Sequence, residues 1–379
     1  MSQLSSCDIF CNVIDNYGDI GVSWRLARQL ANEFDLNVRL WVDDLASFAK
    51  LCPEADAALA IQHQRGVEVR LWGKEFPEVS PADLVIDAFG CKLPESYLAA
   101  MTEQSVWINL EYLSAEDWVE GCHKLPSPKP PLTRYFFFPG FTKNTGGLLL
   151  ERDLLARRDA FLADTQQAFW QSLGMEAPAA DTLKVSMFAY ENPALESLFD
   201  VWASGTHAVL CLVPEGRILP QVRQYFADEN GQNFVRGNLQ VRVLPFVAQE
   251  RYDELLWACD VNFVRGEDSC VRAQWAGKPF VWQIYPQQDE VHWQKLQAFL
   301  DLYGNQLAPE AAGVMQKLWR VWNGGAGEAG WAEFAAWRDD LNVHARAWAQ
   351  ELSGNNLALN LLDFSQEVGR MRAFKIEGQ

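Results

Sequence analysis

The chain has 379 residues, 49% hydrophobic and 22% charged, a balance that excludes a disordered protein and exceeds one ordinary core, so two domains are expected. Its 50 acidic against 32 basic residues leave a formal charge of -18, which argues against nucleic acid as a partner, because a polyanion needs a basic face. Eight cysteines without a CxxC pair and five histidines without ligand spacing point to buried free thiols in a reducing cytoplasm, and away from disulfides or zinc.

The opening "MSQLSSCDIFCNVIDNYGD" has neither the basic start nor the long apolar run of a secretory signal, and no run approaches the ~18 residues of a membrane span. A cytoplasmic protein with no membrane contact is expected. Strand-like runs follow at 8–14, 38–44, 67–73, 83–89, 105–112 and 134–141, with amphipathic helical patterns between them at 22–34 and 45–52. Strands alternating with helices imply a parallel sheet covered on both faces. The Pro-rich "KLPSPKPPLTR" (124–134) reads as a surface loop, and 148–175 as one long helix. After "EAPAAD" (176–181) the alternation restarts, with strands at 183–190, 207–214, 239–246, 259–266 and 278–285 and a Trp-rich helical tail from Pro309. The expected architecture is α/β. It comprises an N-terminal Rossmann-like domain at 1–150, a helical linker at 151–181, a C-terminal Rossmann-like domain at 182–350, and a helix at 351–379 packing back on the first domain.

Ligands of such sheets bind beyond the carboxyl ends of the strands. Four stretches there carry chemistry. The first, "NVIDNYGDIGVSWR" (12–25), places Asp15 and Asp19 among Tyr17, Gly18 and Gly21, without the spacing of a dinucleotide or P-loop fingerprint. An aspartate at contact with a pyrophosphate is repelled by ~4 kcal/mol at an effective dielectric of 20. The pair therefore reads either as helix-cap chemistry or as a proton acceptor and cation clamp. The second, "MFAYENPALESL" (187–198), ends a strand on Tyr190. The third, "VLPFVAQERYDELLWACD" (243–260), offers Phe246, Gln249 and Tyr252 as a nucleobase pocket, or Tyr252 as core edge. The fourth, "FVRGEDSCVRAQWAGKPFVWQIYPQQDEVHWQKL" (263–296), sets Arg265 and a helix start at Ser269, both anion donors, beside Glu267 and Asp268. Acidic groups beside phosphate donors suit a ligand with both a diphosphate and hydroxyls, such as a sugar nucleotide. Asp43 and Asp44 form no DxD, and His292 is not read as catalytic. The tail tryptophans are read as packing.

Two Rossmann-like domains facing across a cleft is the plan of GT-B glycosyltransferases. The strings "DNYGDIGVSWRLARQL", "LPFVAQERYD", "RGEDSCVRAQWAGKPFVWQIYPQ" and "HWQKLQAFL" together resemble the bacterial elongation factor P arginine rhamnosyltransferases, the EarP family, over essentially the whole chain. The resemblance implies transfer of rhamnose from dTDP-β-L-rhamnose to an arginine of elongation factor P, with inversion and with no metal or other cofactor. It implies Asp19 as general base, Asp15 as its companion and Glu267 as a third acidic group. It also implies a donor-binding set of Tyr17, Gly18, Gly21, Tyr190, Arg265, Asp268 and Ser269, with Phe246, Gln249 and Tyr252 around the thymine. The alternatives are another GT-B sugar-nucleotide enzyme, or a non-catalytic protein that binds a sugar nucleotide or a translation factor.

Overall fold

The structure is a computed structural model and describes residues 4–14, 17–286, 290–328 and 330–377, of which 373–377 are described by backbone alone. The chain divides into two compact units, Met1–Arg152 with Leu352–Gln379, and Asp153–Glu351.

The first unit holds strands β1 (Ser6–Cys11), β2 (Asn37–Val42), β3 (Ile61–Gln64), β4 (Val67–Leu71), β5 (Leu84–Ala88), β6 (Val106–Leu110), β7 (Pro126–Lys129) and β8 (Leu132–Phe137). They form one sheet in the order β3-β4-β2-β1-β5-β6-β8-β7. The run β4-β2-β1-β5-β6-β8 is parallel, and β3 and β7 add antiparallel hairpins at the two edges. The second unit holds β9 (Leu183–Met187), β10 (Val209–Pro214), β11 (Asn233–Arg236), β12 (Leu239–Leu244), β13 (Val261–Arg265) and β14 (Phe280–Gln283). Their order is β11-β12-β10-β9-β13-β14, parallel except at the β11 edge. In each unit the chain starts in the middle of the sheet, runs outward one way, then returns to the other side of its first strand. That reversal makes a switch point between β1 and β5, and another between β9 and β13, where loops diverge and leave room for a ligand.

The parallel strands were legible because both faces are covered. β5, β6, β10, β13 and β14 are buried at every position, so they read as largely apolar runs, interrupted only by Asp87, Asn109, Asn262, Arg265 and Gln283. The antiparallel edge strands β3, β7 and β11 carry no such signal. β7 lies inside the segment read as a surface loop, and its Pro126 and Pro128 are tolerated because an edge strand leaves some N–H groups unused. The single helix expected at 148–175 is also revised. Leu148 pairs with Asn356 in an isolated bridge, and the helix starts at Leu154. It passes through a π-helical turn at Phe161–Thr165 that seats Phe161 against Phe169 and Trp257.

The C-terminal helix Leu357–Glu377 belongs to the first unit. Asn355 and Asn356 donate to the carbonyls of Thr142 and Leu150, and Phe364 packs on Tyr135 and Phe137. Gly147 makes the approach possible: at φ +79° it has no side chain to strike the Asn355 carbonyl, which would stand 2.1 Å from a Cβ. In the second unit Trp319 and Trp322 are fully buried, against Phe280, Phe299 and Phe263.

Two buried carboxylates cross-link the first sheet. Asp8 takes both nitrogens of the Arg39 fork at 2.6 Å, together with the Trp41 indole and the Tyr97 hydroxyl. Asp87 accepts from Trp107 Nε1 at 2.7 Å and Arg134 Nη1 at 3.0 Å, yet burial pushes its carboxyl up to about 7. The folded carboxyl thus keeps its proton to higher pH than the unfolded one. Its contribution is fully present below the ordinary carboxylate range and is lost as pH climbs through about 7. His123, which burial pushes down to about 4, acts oppositely, losing its contribution as pH falls from 6.5 toward 4. Comparing Asp87→Asn with wild type isolates the carboxyl. Urea unfolding from pH 4 to 7 should show the variant gaining on wild type by up to about 4 kcal/mol, and parallel curves would contradict the assignment.

Candidate active site

Each switch point carries a distinct chemistry. In the first unit β1 leads into the aspartate loop. Val13 N–H donates to Asp43 Oδ1 at 2.9 Å, Asn12 Nδ2 donates to the other Asp43 oxygen, and Ile14 N–H donates to Asp19 Oδ2 at 2.9 Å. Helix Gly18–Phe34 starts four residues before the apolar pattern that announces it, with the Gly21 N–H already bonded to the Tyr17 carbonyl at 2.9 Å. Gly18, Asp19 and Gly21 are therefore first-turn helical residues and not an open loop. Asp19 is only 3% exposed, in the turn where the helix dipole favours a carboxylate. Asp15 lies outside the described residues. Asp44 turns the other way and caps helix Leu45–Leu51, its carboxyl held below the ordinary range by the Ser47 hydroxyl and the backbone N–H groups of Ala46 and Ser47.

In the second unit the chain after β9 meets the chain after β13. Arg265, the last residue of β13, is 5% exposed. Its guanidinium sits over two rings, 4.6 Å from Phe188 and 4.5 Å from Tyr190. Its Nε and Nη1 are buried without a hydrogen-bond partner among the described residues. A buried cation with unanswered donors is costly unless an anion completes it.

The surroundings fix that cation in place. The Ser269 hydroxyl accepts from the Arg265 N–H at 3.0 Å and donates to its carbonyl, locking the turn. Gly266, at φ +61°, bends the chain there, and the Trp282 indole donates to its carbonyl at 2.7 Å. Helix Asp268–Ala276 then begins, presenting its first backbone N–H groups at the same strand end. Asp268 accepts from Gln249 Nε2 at 3.2 Å, and the Tyr252 ring meets Phe188 at 5.7 Å. Beneath, Arg272 and Asp253 form a fully buried two-pronged pair at 2.7 and 2.8 Å that ties the two site helices together. Tyr190 is anchored by its N–H on Gln283 Oε1 at 2.9 Å.

The structure thus gathers Tyr190, Gln249, Tyr252, Arg265, Asp268 and Ser269 into one connected group. Phe246 lies half-buried two residues beyond β12. Glu267 pairs with Lys295 Nζ at 3.5 Å. Tyr17, Gly18, Gly21 and Asp19 stand on the other unit. Two supporting residues, Phe188 and Lys295, escaped sequence reasoning, and Asp43 was read there only as forming no DxD. Phe188 was within reach, since it lies two residues before Tyr190 at a strand end and so shares its face. Asp43 and Lys295 act through contacts 30 and 28 residues away in sequence, which no local pattern reveals. Among the described residues, no group of three or more His, Cys, Asp or Glu is arranged to hold a metal. No helix among them is long and apolar enough to cross a membrane.

The chain resembles known proteins over most of its length. A family profile described as "Elongation-Factor P (EF-P) rhamnosyltransferase EarP" matches residues 7–366. A protein-arginine rhamnosyltransferase of Pseudomonas putida is 51% identical over 370 residues, covering 94% of this chain and 97% of that one. One from Pseudomonas aeruginosa is 48% identical over 372 residues, covering 95% and 99%. A solved structure reporting the structural basis for EarP-mediated arginine glycosylation of elongation factor EF-P superposes with TM-score 0.69 at 36% identity, covering 96% of this chain and 99% of that one. At 12% identity, Acinetobacter baumannii MurG matches in fold alone, with TM-score 0.51 over 96% and 99%. The fold is the two-Rossmann-domain GT-B class.

Arg265 generates a direct test. Pyrophosphate should raise the melting temperature of the wild type and leave Arg265→Met unmoved, while the ligand-free variant should melt no lower because it loses an uncompensated buried charge. A variant that still responds to pyrophosphate would show that the anion binds elsewhere.

Proposed function

The chain belongs to the EarP family of elongation factor P rhamnosyltransferases, and on that footing we propose that it transfers rhamnose from dTDP-β-L-rhamnose to an arginine of elongation factor P, with inversion at the anomeric carbon. The observation that supports a nucleotide-sugar donor most directly is the buried Arg265 guanidinium, stacked on Phe188 and Tyr190 with two donors unanswered. That arrangement matches a diphosphate, whose charge grows as the sugar departs.

The acceptor sets the harder chemical problem. A guanidinium has a pKa above 12 and no free lone pair, so it is a poor nucleophile. Complete deprotonation by an ordinary carboxylate is uphill by ~8 pKa units, about 11 kcal/mol. Proton loss must therefore accompany attack. In our reading Asp19 takes the proton from the attacking nitrogen as the C–N bond forms and the C1–O bond to the diphosphate breaks. Asp15 and Glu267 hold the rest of the cation. The diphosphate leaves as dTDP, its charge met by Arg265 and by the N–H groups opening helix Asp268–Ala276. A single displacement from the open face of the sugar gives inversion. Gln249 and Tyr252, with Phe246, line the thymine side. Tyr17, Gly18 and Gly21 bring backbone close to the donor.

Asp19 is the decisive residue. Intact-mass analysis of elongation factor P should show one added deoxyhexose with wild-type enzyme and dTDP-rhamnose. Asp19→Asn should slow transfer by at least ~100-fold while binding the donor normally. An unmodified acceptor with folded wild-type enzyme would overturn the reading, and a fully active variant would remove Asp19 from the role.

A further inference from the structure

The first unit holds a second cluster at the carboxyl ends of β5 and β6 that none of the residues above uses. Phe89 follows β5 with φ +58°, a left-handed backbone that a bulky residue adopts only where its surroundings hold it. Its ring stacks on Tyr112, centroids 4.5 Å apart and planes 21° apart, and both residues are half-buried. The end of β6 lies beside them, where the Phe89 N–H donates to the Leu110 carbonyl at 2.7 Å. Asn109 is 2% exposed, and its Nδ2 donates to Glu111 Oε1 at 2.5 Å. Its Oδ1 is buried with no hydrogen-bond partner among the described residues, and it faces the turn, 3.9 Å from where a Cβ on Gly90 would stand. Cys91 Sγ donates to the Phe10 carbonyl at 3.3 Å, so the turn 89–91 abuts β1 one residue before its end. The cluster therefore borders the first unit's switch point, on the edge from which the Asp19 segment also leaves.

Its chemistry is one-sided. A stacked aromatic pair offers a flat negative face, Glu111 a carboxylate, and Asn109 a buried acceptor oxygen without a donor. A planar cation with several N–H donors answers all three, and guanidinium is the side-chain group of that shape. An ammonium would satisfy the carboxylate and be drawn to the ring, but as a point charge it can neither stack on the flat face nor meet two acceptors at fixed spacing. The strained backbone at Phe89 is the second sign of a binding role, since a glycine would relieve it and the ring is the only feature that its presence adds.

We propose that Phe89, Asn109, Glu111 and Tyr112 form the seat that captures the acceptor's guanidinium before transfer. This rests on the reading of the acceptor as an arginine side chain, and adds where that side chain is held. The seat binds the cation and leaves the proton to Asp19.

Steady-state transfer to elongation factor P, with donor and acceptor varied separately, tests it. Phe89→Gly, which suits the left-handed backbone, and Glu111→Gln, which can still accept from Asn109, should each raise the acceptor KM roughly 10- to 100-fold, the loss expected for one charge-assisted contact. Donor KM should stay at the wild-type value, and Phe89→Gly should melt no lower. An unchanged acceptor KM in both variants, or a donor KM that rises equally, would overturn the seat. Wild-type activity in the same assay separates that result from failure of the rhamnosyltransferase reading, which would show as no transfer by any form of the enzyme.

Discussion

A buried cation that the protein itself leaves incomplete organises the second unit. Arg265 stands at the end of the strand next to the sheet's first strand, below two aromatic faces, with donors that nothing described in the protein fills. Taking a guanidinium out of water costs several kcal/mol, and stacking on two rings recovers only part of that. The position persists because its backbone is over-determined by the Ser269 hydroxyl, the Gly266 bend and the Trp282 indole. The Asp253–Arg272 pair and the Asn262 amide, which meets both the Ser186 hydroxyl and the Leu256 carbonyl, hold the flanking elements from below. A site braced in this way is arranged before any ligand arrives, and an anion that reaches it meets donors that need not reorganise.

The first unit repeats the topology with the opposite charge. Its switch point carries Asp19 in a helical first turn, Asp43 bracing the segment before it, and the Glu111 carboxylate nearby. The same fold position can serve either sign because the fold supplies only diverging loops and a helix start, while the side chains decide what binds. A first-turn carboxylate gains from the helix dipole, which offsets part of the cost of burying it. A transferase joining a cationic acceptor to an anionic donor needs both kinds of end.

What could be read from the sequence divides along physical lines. Parallel strands buried on both faces leave largely apolar runs, and β5 and β13 were visible for that reason. The edge strands β3, β7 and β11 satisfy fewer constraints, and their residues are correspondingly polar or Pro-rich. Arg265 and its neighbours were legible because they are contiguous at one strand end. The turn at Phe89 was not, since a left-handed backbone is signalled by glycine and here the residue is phenylalanine. Lys295 and Asn109 were likewise invisible, because each acts on a partner that only the folded chain brings near or only strand alternation orients. The helix start at Gly18 was misplaced because apolar periodicity begins only where a helix becomes buried, whereas its first turn is set by dipole and capping chemistry.

The energetics of the acceptor explain why one carboxylate would not suffice. A base matched to a neutral nucleophile could wait at ordinary carboxylate strength, but a guanidinium gives up its proton only as its nitrogen becomes bonded to carbon. The proton acceptor must therefore be in contact throughout the displacement, and the cation must not drift from it. A single carboxylate that both clamps and accepts loses its hold at the moment it becomes protonated. Separate groups for holding and for accepting remove that conflict: the clamp keeps its charge while the base gives its charge up. An aromatic face adds a hold that does not weaken on proton transfer, because stacking of the planar group survives when the charge falls. Acidic and aromatic residues concentrated at one end of a sheet are what that division of labour requires.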